Sequence, residues 1–587
     1  MSREKSKKET RNGKNSNIKD VNHIFSFFKT IDFFLPVIFI LSFINPLKSA
    51  TSQYYLLSYE DDIAWIYWVS QHVNQPLTLL SDATGTGYRP IINLLFAFGY
   101  SLWGANEVYY YLLNGIIFAG SMVFLYSLIK LLSDRTSGLI AVLLYLFLDS
   151  TFLLVWKINF LTTIGEIFFI TSSLYFFILF FEKNDIRNLF IALPLALMAF
   201  FSKEPSILII PAVNLLYLFH KWNSLQIERK IKIGIVFFNV IPIMSLVFAF
   251  LFFSVDVGQS KTTPLLELFQ SRLQFYMEHE LRGQLKNPFI VLLACIGTFY
   301  FHNFGKNTYR KMSIVSIKNI VAILFMASAF FASIYLEIYS LLGLIIISLL
   351  LVMAFFFGDI NQRIGIMWFG VGIFPLLITG LREQATYLAE PNLGMCLFIG
   401  VTLSKYLSYI KSEIVHPQDP KVKKTASYSR TNKLTVIFII IILLNILLQI
   451  SLVPAQLETT SSYQKELGNK QTSFKELVEY LLSFAPENAI IYYISVNQRE
   501  KVGVGQIDSS DFHELLCLKG RCDISVKSLD RLDINNTNPD SHEYIALLSN
   551  QDVSIFINEY SQLDDRGLFT SQHVFKNGNR VSIILEI

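Results

Sequence analysis

The stretch Ile31-Asp32-Phe33-Phe34-Leu35-Pro36-Val37-Ile38-Phe39-Ile40-Leu41-Ser42-Phe43-Ile44, which runs on to Ser49, decides what kind of protein this is. It carries no charge between Asp32 and Lys48, and a run of this length and character is what a helix needs to cross a bilayer. A polar loop follows, holding Tyr59-Glu60-Asp61-Asp62 and then Tyr88-Arg89-Pro90. Carboxylates and a cation set at a membrane surface, in a chain otherwise built for lipid, are candidates for chemistry on a charged, lipid-borne substrate.

Working outward, the composition agrees. Of 587 residues, 52% are hydrophobic and only 16% charged, too apolar for one soluble core. Further apolar segments are read at roughly 107–131, 137–154, 160–181, 188–202, 205–220, 233–254, 288–303, 319–336, 341–357, 364–380, 391–410 and 433–453, which with the first at 31–49 gives about thirteen crossings. The apolar stretch Ile91–Tyr100 is short, and is read as a helix lying in the interface.

Loop charge sets the orientation. Residues 1–30 form a basic, polar arm with Arg3, Lys5, Lys7, Lys8, Arg11, Lys14, Lys19 and Lys29, expected to be disordered and cytoplasmic and too long and plain for a cleaved signal peptide. The loops after Lys221, Lys306 and Lys411 are basic as well, whereas the first outer loop, 50–105, has Arg89 as its sole Lys or Arg against Glu60, Asp61, Asp62 and Asp82. The expected architecture is an all-α polytopic membrane domain over 31–453, with an odd number of spans placing the chain beyond it outside. The net charge of +4 is spread over separate loops and points to no nucleic-acid partner.

Residues 455–587 change character. A helix-like segment at Phe474–Leu482 and strand-like runs at Ala489–Val496, Val553–Asn558 and Val581–Ile587 predict a small extracytoplasmic α/β domain. Cys517 and Cys522 enclose a four-residue loop that an oxidising compartment would close as a disulfide, two free thiols being the other reading. Cys295 and Cys396 fall in apolar segments and are read as packing residues. No Cys/His metal spacing, phosphate-binding glycine loop or dinucleotide fingerprint appears.

The order of several short motifs carries a family resemblance. Tyr59-Glu60-Asp61-Asp62, Tyr88-Arg89-Pro90-Ile91-Ile92-Asn93, Leu102-Trp103-Gly104-Ala105-Asn106, Phe201-Ser202-Lys203-Glu204-Pro205 and Arg382…Tyr387-Leu388-Ala389-Glu390-Pro391 together resemble GT-C glycosyltransferases of the protein O-mannosyltransferase-like superfamily. The chain departs from many of these at Gly115-Ile116-Ile117-Phe118, where relatives carry a His. The resemblance implies cell-envelope glycosylation, with a sugar delivered on a polyprenyl phosphate to an acceptor hydroxyl or similar nucleophile of a lipid, glycan or protein, on the outer face and with inversion. The alternative is a lipid-linked polysaccharide polymerase, a flippase or a transporter without this chemistry.

The residues fit the implied reaction. The nucleophile must lose a proton, so a carboxylate is wanted opposite the leaving group, from Asp61 or Asp62 with Asp62 preferred. A lipid phosphate leaves as an anion and needs fixed positive charge, for which Arg89, Lys203 and Arg382 are candidates, with Tyr387 beside them. Glu204 would orient Lys203, or share a divalent cation with Asp61 and Asp62. Each has a plainer reading: Asp61 as a helix N-cap, Arg89 snorkelling to headgroups, Lys203-Glu204 as a local ion pair, and Arg382 at a helix C-terminus. Glu166 inside a span and Glu278-His279-Glu280 are weaker candidates, and aromatic residues of the first loop, Tyr59, Trp65 and Trp68, are candidates to stack on a sugar.

Overall fold

A computed structural model describes residues 32–51, 60–81, 88–154, 158–225, 228–252, 291, 294–295, 297–298, 341–378, 385–415, 477–495, 509–528, 543–549, 571–577 and 580–586. It is mostly helical. The helices are α1 (Phe34–Thr51), α2 (Glu60–His72), α3 (Pro76–Ser81), α4 (Pro90–Trp103), α5 (Glu107–Leu132), α6 (Arg135–Leu146), α7 (Asp149–Leu154), α8 (Leu161–Lys183), α9 (Ile186–Phe200), α10 (Ser206–Lys221), α11 (Arg229–Phe252), α12 (Leu341–Phe357), α13 (Ile360–Ile378) and α14 (Ala389–Val415). Single 3-10 turns at Ile158–Phe160 and Ala385–Leu388 lead into α8 and α14.

These helices form where apolar runs meet polar caps. The Asn106 side chain accepts from Val108 N–H at the start of α5, Asp134 from Ser137 N–H at the start of α6, and Asp185 from Arg187 N–H at the start of α9. Each satisfies an orphan donor of a first turn. Among the described residues, two helical stretches are long and apolar enough to cross a membrane, Glu107–Leu132 and Ile158–Lys183. The expected span at 137–154 is broken into α6 and α7, with the Thr151 hydroxyl donating to Tyr145 C=O across the break. Expected spans at 319–336 and 433–453, and most of 288–303, lie outside the described residues, so the described helices do not supply the expected count of thirteen.

Contacts at the helix ends sort the molecule into two sides. Asp32, at the foot of α1, accepts from Lys130 Nζ at 2.6 Å and Tyr126 OH at 2.8 Å, both near the end of α5. Helices α1 and α5 therefore run antiparallel, with α2, α3 and α4 between them in sequence. On the same side as Asp32 lie Asp134, which accepts from the Ser404 hydroxyl, and Asp359, which pairs with Lys405. At the opposite ends lie α2, α3, α4, the 158–160 turn, the 201–205 junction and the 385–388 turn.

Close packing of α13 on α14 depends on two glycines. A Cβ at Gly394 would sit 2.5 Å from Phe369 N and 2.6 Å from Gly365 O, and one at Gly365 would sit 2.7 Å from Phe398 N. Small residues at such crossings are how helices approach closely where no hydrophobic driving force acts between them.

The described C-terminal residues build a five-stranded mixed sheet from β1 (Ile490–Ser495), β2 (Ser525–Ser528), β3 (Glu543–Ser549), β4 (Ser571–Asn577) and β5 (Arg580–Glu586), in the order β2-β1-β3-β5-β4. Strand β1 is parallel to both neighbours, with Ile490 opposite Ser525 and Glu543, while β5 is antiparallel to β3 and β4. A parallel pair needs a crossover, and α15 (Ser509–Leu518) lies in the β1–β2 connection. The expected strand at Val553–Asn558 lies outside the described residues. Cys517 and Cys522 are joined as a disulfide, and Cys295 and Cys396 are free and buried.

Helix α15 packs against α2. Phe512, Leu515 and Leu516 share one buried apolar cluster with Ile63, Ile66 and Val69 of α2 and Ile92 and Phe96 of α4. The C-terminal sheet and the acidic first loop therefore lie on the same side of the helical body.

Candidate functional site

The site is assembled from three loops far apart in sequence. The first is the α2–α4 segment. The Asn93 side chain on α4 accepts from Trp65 Nε1 of α2 at 3.1 Å and donates to Leu79 C=O of α3 at 3.1 Å, tying the three short helices together. Its second tie runs through Asp62. This carboxylate is fully buried; Oδ1 accepts Asn159 N–H at 2.7 Å and Oδ2 accepts Ile158 N–H at 3.3 Å. Both oxygens are thus engaged with the backbone donors of the turn that starts α8. Asp61 lies in the first turn of α2, next to it in sequence.

Arg89 immediately precedes α4 and reaches the 201–205 junction. Its Nη2 lies 3.4 and 3.5 Å from the two Glu204 carboxylate oxygens. The backbones meet as well, Ile91 N–H donating to Phe201 C=O at 3.4 Å, and the Tyr88 ring stands edge-on to Phe201. Glu204 is held in its charged form: burial works against the charge, but the Arg89 guanidinium outweighs it and sets the carboxyl below its usual range.

Lys203 turns the other way, into the protein. Its Nζ donates to Glu390 Oε1 at 2.5 Å and to Thr163 Oγ1 at 2.8 Å, and lies 5.6 Å from the centroid of the Tyr387 ring. Burial disfavours the ammonium, but the Glu390 and Glu166 carboxylates outweigh it and raise the Lys203 pKa. Glu166 in turn accepts Ser206 N–H at 2.8 Å, at the start of α10. Isolated charges in such a setting would be costly; here Lys203 and Glu390 are paired with each other, and Glu166 is hydrogen-bonded through one of its two oxygens.

Of the residues singled out from sequence, Arg89, Lys203, Glu204 and Tyr387 are therefore brought into one contiguous network, and Asp62 joins it through the turn that leads into α8, the helix bearing Thr163 and Glu166. Arg382 and Glu278-His279-Glu280 lie outside the described residues. Trp65 and Trp68 are partly buried, stacking on Phe96 and against His72. Among the described residues no group of three His, Cys, Asp or Glu side chains is placed to hold a metal ion. Of the residues considered as ligands, Glu204 has Arg89 as partner and Asp62 has two backbone N–H groups.

Two members of the network received no role in the sequence reading, Glu390 and Thr163. Glu390 carried a signal, as an acid within the first turn of an apolar helix, but its partner 187 positions away is visible only in the fold. Thr163 carried none.

Comparison with known proteins agrees with the first-loop resemblance. No curated protein matches the chain. Among solved structures, ArnT from Cupriavidus metallidurans in the apo state aligns at 11% identity over 94% of this chain and 97% of that one, with a TM-score of 0.42. The Archaeoglobus fulgidus oligosaccharyltransferase in the apo form aligns at 12% identity over 91% and 71%, with a TM-score of 0.44. The archaeal oligosaccharyltransferase AglB from Archaeoglobus fulgidus, in complex with an inhibitory peptide and a dolichol-phosphate, aligns at 11% identity over 90% and 70%, with a TM-score of 0.40. Likeness of this degree assigns neither activity nor substrate. The family match falls on residues that build the site: residues 87–250, which include Arg89, Glu166, Lys203 and Glu204, match the family of dolichyl-phosphate-mannose-protein mannosyltransferases.

Proposed function

We propose that this chain transfers a sugar from a polyprenyl-phosphate-linked donor to an acceptor on the outer face of the membrane, with inversion at the anomeric carbon. The observation that carries the reading is the meeting of Arg89, Lys203, Glu204 and Tyr387 at one end of the helical body, inside or beside the segment that matches the mannosyltransferase family. Arg89 contributes the forked contact to the donor phosphate, and Lys203, neutralised by the buried Glu390, holds in place the junction that carries Glu204. Arg382, outside the described residues, is the further cation that we assign to the donor phosphate.

The two aspartates divide the work. Both oxygens of Asp62 accept backbone N–H groups, which suits an anchor that fixes α2 against the start of α8. Asp61 is therefore the better base for the acceptor proton, reversing the preference drawn from sequence. A divalent cation, where the reaction needs one, is assigned to Asp61 and Glu204.

The test is sugar transfer by the purified protein from labelled polyprenyl-phosphate sugars, with membrane lipid, glycan and peptide acceptors offered in parallel. Label should move to one acceptor class, and chelation should show whether a divalent ion is required. A folded wild-type protein that neither binds nor consumes any such donor would overturn the reading.

A further inference from the structure

The two cations of the site hold their carboxylate partners very differently. Lys203 is buried, 2.5 Å from an equally buried Glu390 and braced by Thr163. Arg89 makes a looser contact, one nitrogen shared between two Glu204 oxygens at 3.4 and 3.5 Å. A guanidinium meets a carboxylate best through two parallel N–H bonds from two nitrogens. Arg89 leaves that capacity unused, and its Nε is buried with no hydrogen-bond partner.

The partners also differ in freedom. The Arg89 side chain is 16% exposed and its neighbours Tyr88 and Ile91 are fixed against Phe201, whereas the Glu204 side chain is 55% exposed. Glu204 regains its hydration when it swings into water, and the half-buried Arg89 is re-paired by the anion that takes its place. Withdrawing Glu390 from Lys203 would strand two buried charges. Arg89 is thus the described cation of the network with an exchangeable partner.

We propose that Glu204 is a placeholder for a phosphate on Arg89. The donor phosphate, whose oxygens can meet Nη2 and Nε together, displaces the Glu204 carboxylate on binding, and the carboxylate returns to Arg89 as the lipid phosphate leaves. This rests on the glycosyl-transfer reading above. It assigns Glu204 to the control of donor affinity and product release, through competition for one guanidinium.

The experiment measures binding of a long-chain polyprenyl phosphate, inorganic phosphate and uncharged polyprenol to the full chain in lipid nanodiscs. Glu204→Gln should bind polyprenyl phosphate about two- to fivefold tighter, the range expected when a weak exposed ion pair no longer competes. Glu204→Asp, which keeps the charge but holds it one methylene further from Arg89, should gain less than Glu204→Gln. In an Arg89→Gln background the gain from Glu204→Gln should disappear. A gain with inorganic phosphate also supports the exchange and identifies the phosphate alone as the ligand; confinement to polyprenyl phosphate supports it with the lipid as part of the ligand. A gain with polyprenol, a gain that persists without Arg89, or equal or weaker binding by a normally melting Glu204→Gln protein overturns the exchange while the proposed function stands. Failure of the wild type to bind polyprenyl phosphate overturns both.

Discussion

Asp62 shows how burial changes what a residue type means. In the sequence it is one of two adjacent acids, and the fold commits both its oxygens to the backbone at Ile158 and Asn159. Asp62→Asn replaces one acceptor with a donor facing an N–H group, so it should lower stability by about 1–3 kcal/mol and activity with it. Asp61→Asn should leave melting unchanged while turnover falls by about 10²–10⁴-fold, the range for lost acid–base work. Equal melting and equal turnover in the two variants would end this division of roles. On the opposite side, burial works against the charge of Asp32, but the hydrogen bonds from Lys130 and Tyr126 outweigh it and hold the carboxyl below the usual range. A depressed carboxyl stabilises the fold above its ordinary pKa, and the contribution is lost as pH falls through the lowered value. The melting gap between wild type and Asp32→Asn should therefore be flat near neutrality and close below about pH 4. A gap that widens on acidification would contradict this.

Among the elements, the α13–α14 crossing is the most sharply constrained. Gly394→Ala would drive a Cβ into Phe369 N and Gly365 O, both backbone atoms that cannot swing away. Overpacking of this kind costs about 1–3 kcal/mol, and melting in detergent should fall accordingly. Gly370 sits on the same helix as Gly365 with nothing within 4 Å of its would-be Cβ. Gly370→Ala should be neutral or stabilising by up to about 1 kcal/mol, since alanine favours the helix. Similar losses in both variants would show that helix propensity, not the crossing, sets the response. Because α14 carries Glu390 near its start, the crossing also sets where Lys203 finds its partner.

For the whole molecule, the contact of α15 with α2 ties the C-terminal sheet to the helix that bears the two aspartates. Phe512 is fully buried in that cluster, and Phe512→Ala should cost about 3–5 kcal/mol. If α2 depends on this support, transfer activity at temperatures where the helical body is still folded should fall as well; full activity in a protein with a lowered melting point would assign the sheet a separate role. The side on which both lie is the outer one if the basic loops face the cytoplasm. A reporter fused after residue 455 should then be active outside the membrane, and activity confined to the cytoplasm would invert the arrangement.

Local chemistry was legible in the sequence where it depends on neighbours along the chain. The apolar runs marked the helices near their observed ends, as at Leu341–Phe357, because the length and polarity of a run decide whether a helix can sit in lipid. The strands at Ile490–Ser495 and Arg580–Glu586 and the Cys517–Cys522 pairing were visible for the same reason. The family resemblance, too, was carried by short local motifs. What tertiary structure alone decided was partnership: that Lys203 belongs to Glu390, that Arg89 faces Glu204, and that Asp62 is held by the backbone at 158–159. Those pairings join residues up to 187 positions apart. A buried charge must find a partner, but the sequence states only that it needs one; the packing of helices across the bundle determines which.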